Sequence, residues 1–184
     1  MKIILASGSP RRRELLAMAG YTFEVIPANV DETAPPGITP SQLVADLSLK
    51  KALHMQNLHP EDLIIGADTV VAIDGLILGK PKDANDAFLM LSRLQGRAHT
   101  VFTGVAVVSP KGQQTFVEET KVFMRTLSDT DIREYLATGE PFDKAGSYGI
   151  QERGAVLIER VEGDYFTVVG LPLCRLNQVL REFL

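Results

Sequence analysis

No disulfide can form within this chain, because only one of its 184 residues, Cys174, is a cysteine. The same scarcity excludes a cysteine-built zinc knuckle and points to a reducing compartment. Tryptophan is absent, and the three histidines (His54, His59 and His99) stand far apart, with no metal-ligand spacing. No apolar run approaches the roughly 18 residues of a membrane span, and the apolar start before Ala6 is too short for a secretory leader. A cytoplasmic location without membrane contact is expected. Neither G-x-x-x-x-G-K-[ST] nor G-x-G-x-x-G occurs, which removes P-loop motors and Rossmann dehydrogenases, and no G-x-S-x-G marks a serine hydrolase. A formal net charge of −4 does not suit a chain that lies along a nucleic-acid backbone.

What is present suits a compact fold. Hydrophobic residues make up 45% of the chain and charged residues 23%, with no repeat, low-complexity tract or composition break to separate domains. One domain over 1–184 is expected. The first half alternates strands and helices. Lys2–Ser7 reads as a buried strand, "RRRELLAMAG" as a short helix stopped by Gly20, and Tyr21–Ala28 as a second strand. A proline-rich loop carrying Asp31 and Glu32 follows, then a helix over Ser41–Leu58. On that helix Leu43, Val44, Leu47, Met55 and Leu58 share one stripe, with Lys51 inside it. Leu63–Pro81 holds apolar strand segments with an Asp74-Gly75 hairpin turn, and Asp83 caps a helix that ends at Gly96.

Hairpins dominate the second half. "SPKGQQ" turns one between Ala98 and Thr126, and Ser128 with Asp131 forms a capping box. A second hairpin is expected over Ala155–Val169, turning at Glu162, Gly163 and Asp164, before a terminal amphipathic helix over Pro172–Phe183 with Cys174 in the core. The fold class is therefore α/β with a mixed, twisted sheet.

Polar residues interrupt the buried segments at Ser7–Arg13, Glu32, Lys51, Asp68-Thr69, Lys80 and Asp143–Gln151. A turn entering a helix presents free backbone N–H groups and the positive end of the helix dipole, which favour an anion. Arg11 and Arg12 beside it suggest a phosphate, since a guanidinium fork binds two phosphate oxygens at once. A solvated helix start is the other reading, but cations there oppose the dipole. Lys51 either snorkels to solvent along its stem or points into a polar cleft, while Lys50 reads as solvated. Asp68, inside an apolar run, needs a partner, a turn amide or a metal. Glu32 offers a second oxygen for the same cation, and magnesium takes few carboxylates together with water and phosphate oxygens.

With these residues assembled, the chain resembles the Maf family of nucleoside triphosphate pyrophosphatases over nearly its whole length. The likeness rests on "LASGSPRRRELL", "KKA", "GADTVV", "LGKP", "GRAHTVFTGV", "FDKAGSYGIQ" and "VVGLP", in that order. It implies a long curved mixed sheet flanked by helices, with two lobes and a central cleft, of the inosine triphosphate pyrophosphatase-like kind, and commonly a homodimer. It also implies hydrolysis of a nucleoside triphosphate between its α and β phosphates, dependent on a divalent cation, magnesium or manganese.

Carried over by position, the resemblance gives Ser9, Arg11 and Arg12 as the phosphate-contacting loop, with Arg12 also linked to substrate choice. It gives Glu32, Lys51 and Lys80 as polar cleft residues, Asp68 as the catalytic base, and Thr69 and Gln151 as further specificity positions. Glu32 and Asp68 are the expected metal ligands. Gln151, whose amide offers both donors and an acceptor, suits the imide edge of uracil or thymine, and the surrounding motifs resemble the branch acting on dTTP and UTP. Modified pyrimidine triphosphates are implied as further substrates. Glu152 departs from the family pattern, which has a small residue there. The alternative function is a nucleotide-binding regulator of cell division without turnover, since the family's name is associated with septum formation.

Overall fold

The computed structural model describes residues 1–184. Strand β1 (Ile3–Leu5) is buried at every position, as expected of a strand paired on both sides. It runs parallel to β2 (Glu24–Val25) and to β3 (Leu63–Ile73). Strand β3 is a single element of eleven residues, so the apolar segments expected around Asp68 and Thr69 are one continuous strand. It turns through Asp74 and Gly75, both at positive φ, into the antiparallel β4 (Leu76–Leu78). Strands β5 (Ala98–Ser109), β6 (Gly112–Met124) and β7 (Ile158–Glu162) complete a seven-stranded mixed sheet. Its order is β2-β1-β3-β5-β6-β7, with β4 on β3.

The helices are α1 (Pro10–Met18), α2 (Pro40–Leu58), α3 (Ala84–Leu94), α4 (Asp129–Leu136), α5 (Tyr165–Val169) and α6 (Leu173–Phe183). Their starts follow sequence chemistry. Ser9 and Asp83 cap α1 and α3, while Thr39 with Gln42 and Ser128 with Asp131 form capping boxes on α2 and α4.

Four expectations are corrected. Strand β2 is two residues long rather than eight, ending at Val25; Ile26 makes one more bond to the Leu5 carbonyl, and Pro27 after it has no N–H to extend the ladder. The return strand expected after Gly163 is helix α5 instead, because the Asp164 carboxylate accepts the backbone N–H and hydroxyl of Thr167 at 2.7 and 2.8 Å and starts a helical turn. Cys174 is exposed, since α6 turns Leu176, Val179, Leu180 and Phe183 inward. Leu58, in the last turn of α2, is also exposed.

The chain divides into two compact units. The first contains residues 1–69, 103–118 and 170–184, and the second residues 70–102 and 119–169. In the first, Ile4, Ala6, Ala52, Met55, Ile64, Ala106 and Val108 form an apolar cluster. Helix α2 lies directly on the backbone there: a Cβ at Gly66 would overlap the Ser48 carbonyl oxygen, and one at Gly104 that of Val44. In the second, Leu91, Leu94, Val122, Met124, Ile132, Tyr135 and Tyr148 belong to a separate cluster.

No helix is long and apolar enough to cross a membrane.

Candidate active site

The close approach of α2 to β3 at Gly66 sets the polar centre of the first unit. Two residues along β3 from Gly66, on the same face, stands Asp68. One helical turn along α2 from Ser48 stands Lys51. Their side chains meet: Lys51 Nζ donates to Asp68 Oδ1 at 2.7 Å, with side-chain exposures of 9% and 12%. Burial at that level leaves neither charge affordable alone, which explains why a lysine tolerates the apolar stripe.

Lys51 Nζ also pairs with Glu32 Oε1 at 2.8 Å. Glu32 comes from the proline-rich loop and is 57% exposed. That loop is held beside it by Lys50, whose Nζ donates to the Asp31 carbonyl at 2.6 Å, and by the Asp31 carboxylate, which takes the Thr33 N–H at 3.0 Å. Lys50 is exposed, as read from sequence, and its ammonium also touches the Glu32 loop.

Thr69 follows Asp68 and points the other way, as successive strand residues do. Its Oγ1 accepts from Arg12 Nη2 at 2.9 Å and shares a 2.9 Å hydrogen bond with Thr103 Oγ1. Arg12 also donates from Nε to the Gly170 carbonyl at 2.8 Å and from Nη1 to Ser7 Oγ at 3.1 Å. Three of the five guanidinium N–H donors are thus engaged by the protein, and two remain for a ligand. Ser9 turns the chain between β1 and α1, its Oγ accepting the Arg12 N–H at 3.4 Å. Burial pushes the Arg12 pKa down, Asp68 pulls it back up, and the neighbouring Arg11 charge adds a smaller push down. Arg12 thus feels the Asp68 charge although it touches Thr69.

Ser9, Arg12, Glu32, Lys51, Asp68 and Thr69 are thereby gathered in one unit, with Arg11 half-buried on the first turn of α1. Lys80 and Gln151 belong to the second unit. Lys80 is exposed just after β4, and Gln151 is half-buried at the start of a 3₁₀ turn over Glu152–Leu157.

Comparison with known proteins decides the family. The profile described as Maf-like protein matches residues 2–183. The chain belongs to the Maf-like family. Among curated Maf-like relatives, a protein of Thermoanaerobacter sp. (strain X514) named dTTP/UTP pyrophosphatase is 52% identical, covering 100% of this chain and 97% of its own. One of Bacillus cytotoxicus with the same name is 49% identical over 99% and 95% of the two chains. Among solved structures, the Ham1 protein of Staphylococcus aureus aligns with a TM-score of 0.50 at 15% identity, covering 67% of this chain and 72% of that one. That likeness concerns the fold alone.

The Maf-like polar centre can be tested for the divalent cation that the family implies. No group of three or more His, Cys, Asp or Glu side chains is placed so that it could hold a metal ion. Two carboxylates do converge, both within 2.8 Å of the single Lys51 ammonium nitrogen. Magnesium bound to nucleotides is satisfied by one or two carboxylates, with phosphate and water oxygens completing the shell. The Glu32 and Asp68 pair fits that donor set.

Ser7 was legible as part of the polar loop. The Gly170 carbonyl and Thr103 were not, because a backbone acceptor and a lone strand threonine carry no sequence signal.

Proposed function

We propose that the chain hydrolyses dTTP and UTP between the α and β phosphates, giving the monophosphate and pyrophosphate. The observation that carries this reading is the junction of Lys51 with Glu32 and Asp68, in a chain about half identical to proteins named dTTP/UTP pyrophosphatase.

In this reading Asp68 is the base. Lys51 holds Oδ1 and so fixes the carboxylate plane, leaving Oδ2 for a water. The water oxygen bonds to the α-phosphorus and the α-β bridging P–O bond breaks. The bridging oxygen leaves with its electron pair on pyrophosphate, and the water proton passes to Asp68. Arg11, the spare donors of Arg12, Ser9 and Lys51 hold the phosphate oxygens, with Thr69 setting the Arg12 fork. When bound by Glu32 and Asp68, a magnesium or manganese ion supplies positive charge that stabilises the leaving pyrophosphate. Lys80 enters as a further cation for the polyphosphate and Gln151 as the reader of uracil or thymine, both supported by the family resemblance.

The test is product identity with dTTP, UTP and GTP in the presence of magnesium or manganese. Pyrophosphate with monophosphate is expected. Orthophosphate would mean a γ-phosphatase, and tight binding without product would favour a nucleotide-binding regulator. Asp68→Asn should abolish turnover and leave nucleotide affinity within about tenfold, a limit of about 1.4 kcal/mol. Near-normal turnover would remove Asp68 from the chemistry.

The same reading carries one functional domain over residues 1–184, action on modified pyrimidine triphosphates, a homodimer and a cytoplasmic setting. The family resemblance and the single cysteine support these. Light scattering on the purified chain tests the dimer.

A further inference from the structure

We propose that Glu140 is a positioning residue for Gln151, clamping the loop Gly149–Gly154 so that the Gln151 amide is presented in one fixed place. The proposal rests on the reading of Gln151 as the base-recognising residue, and all its observations lie within the second unit.

Glu140 opens a 3₁₀ turn over Glu140–Asp143. Its Oε1 accepts from the Tyr135 hydroxyl at 3.0 Å and from the Gly154 N–H at 3.0 Å, and its Oε2 accepts the Arg153 N–H at 3.1 Å. The Tyr135 hydroxyl in turn accepts the Gly149 N–H at 3.1 Å. One carboxylate and its phenol therefore hold the backbone on both sides of Gln151. The loop is drawn tight at its base, where a Cβ on Gly154 would overlap the Gly149 carbonyl oxygen. Tyr135 is buried, which pushes its pKa up and keeps the phenol a donor to Glu140.

The approach to the loop is fixed as well. The Gly146 N–H donates to the Gly79 carbonyl at 3.0 Å, and the Tyr148 hydroxyl meets His99 Nε2 at 2.5 Å. Between these ties Gln151 keeps extended backbone, φ −89° and ψ 173°, and its side chain does not cap the turn it begins.

A buried-type selectivity device needs such support. An amide held in one orientation separates uracil from cytosine, because its acceptor meets N3–H and its donor meets O4, whereas cytosine presents the reverse pair and is matched only by the amide turned over. That discrimination holds only while the amide stays within about 0.5 Å of its place. Glutamate suits the clamp because a carboxylate only accepts, and every group facing it here donates. Glutamine would turn an NH2 toward a backbone N–H or the phenol.

The experiment compares Glu140→Gln, Gln151→Ala and the double variant of the full chain, using kcat and KM for UTP and CTP with magnesium. Backbone hydrogen exchange at Arg153 and Gly154 is followed in parallel. Gln151→Ala should lower the UTP to CTP ratio of kcat/KM by about tenfold, the loss of one or two hydrogen bonds. Glu140→Gln should lower the ratio about fivefold, mainly through the KM for UTP, and speed exchange at both amides. The double variant should lose no more than Gln151→Ala alone, because the clamp acts through Gln151.

A Glu140→Gln ratio equal to wild type, with Gln151→Ala impaired, overturns the clamp, as does equal loss on both substrates. An unchanged ratio in Gln151→Ala overturns the base-reading role instead, and unchanged amide exchange in Glu140→Gln then overturns the clamp separately. Should Glu140→Gln fail to fold, Tyr135→Phe removes the hydroxyl that takes the Gly149 N–H and keeps the ring. A loss of ratio of about threefold is expected there, and no loss overturns the proposal.

Discussion

Replacing Lys51 with methionine removes the ammonium while keeping an unbranched stem out to Cε. The wild-type ammonium is 9% exposed and bonds two carboxylates at 2.7 and 2.8 Å. Removing it leaves Asp68, itself 12% exposed, without its hydrogen-bonded cation and with Glu32 as a like-charged neighbour, Arg12 compensating only in part. Loss of one partner from a buried pair costs about 3 to 5 kcal/mol. The Glu32 arm is more than half in water and adds little beyond this. Methionine recovers some packing along the stem, so about 3 kcal/mol is expected at neutral pH. For a chain of this length that lowers Tm by about 6 to 12 °C. Thermal unfolding followed by circular dichroism measures it. The double variant Lys51→Met/Asp68→Asn should be less destabilised than the sum of its singles by at least about 1 kcal/mol. Adding magnesium should raise the Tm of Lys51→Met more than that of wild type, since two carboxylates then lack their cation. A Tm shift below about 2 °C, or strict additivity, would refute the account of Lys51 as the charge that makes Asp68 tolerable.

Gly66→Ala should push α2 off β3 and cut kcat by more than about tenfold, with a stability loss of about 1 to 3 kcal/mol from overpacking; full activity would show that the close approach does not set the Lys51 and Asp68 geometry. His99 is 3% exposed and burial depresses its pKa to about 4 from an ordinary 6.5. The unfolded chain therefore takes up this proton first, and about 3 kcal/mol of stability present above pH 6.5 should drain away as pH falls toward 4, levelling below it. Urea unfolding across that range should show a steeper slope for wild type than for His99→Phe, and equal slopes would contradict the burial argument. Glu152 holds φ at +52°, a conformation that favours glycine. Glu152→Gly should raise Tm by about 2 to 4 °C, and a lower Tm would count against backbone strain at this position.

Glu152 stands out in the sequence for its charge, and its positive φ makes the position a backbone matter as well. The starts of α3 and α4 were readable because capping is local: Asp83 and Ser128 act within three residues of themselves. The strand expected after Gly163 gave way to α5 for an equally local reason, since Asp164, placed by the sequence in a hairpin turn, caps a helix through Thr167. Length and exposure were less legible, because they depend on neighbours far along the chain. Strand β2 stops at two residues, and Cys174 and Leu58 face outward.

By itself the sequence determined the residue types of the polar centre, the strand and helix alternation, and the family, because seven ordered motifs leave little freedom. It left Lys51 undecided between solvent and a polar partner. Tertiary structure decided that question, through two glycines that let α2 rest on the backbone of β3 and β5 and so bring an ammonium from one element against carboxylates from two others. It also assigned the Arg12 fork to Gly170, Ser7 and Thr69, partners between 5 and 158 residues distant. The pairings with Gly170 and Thr69 are set by packing, and no local pattern of residues encodes them.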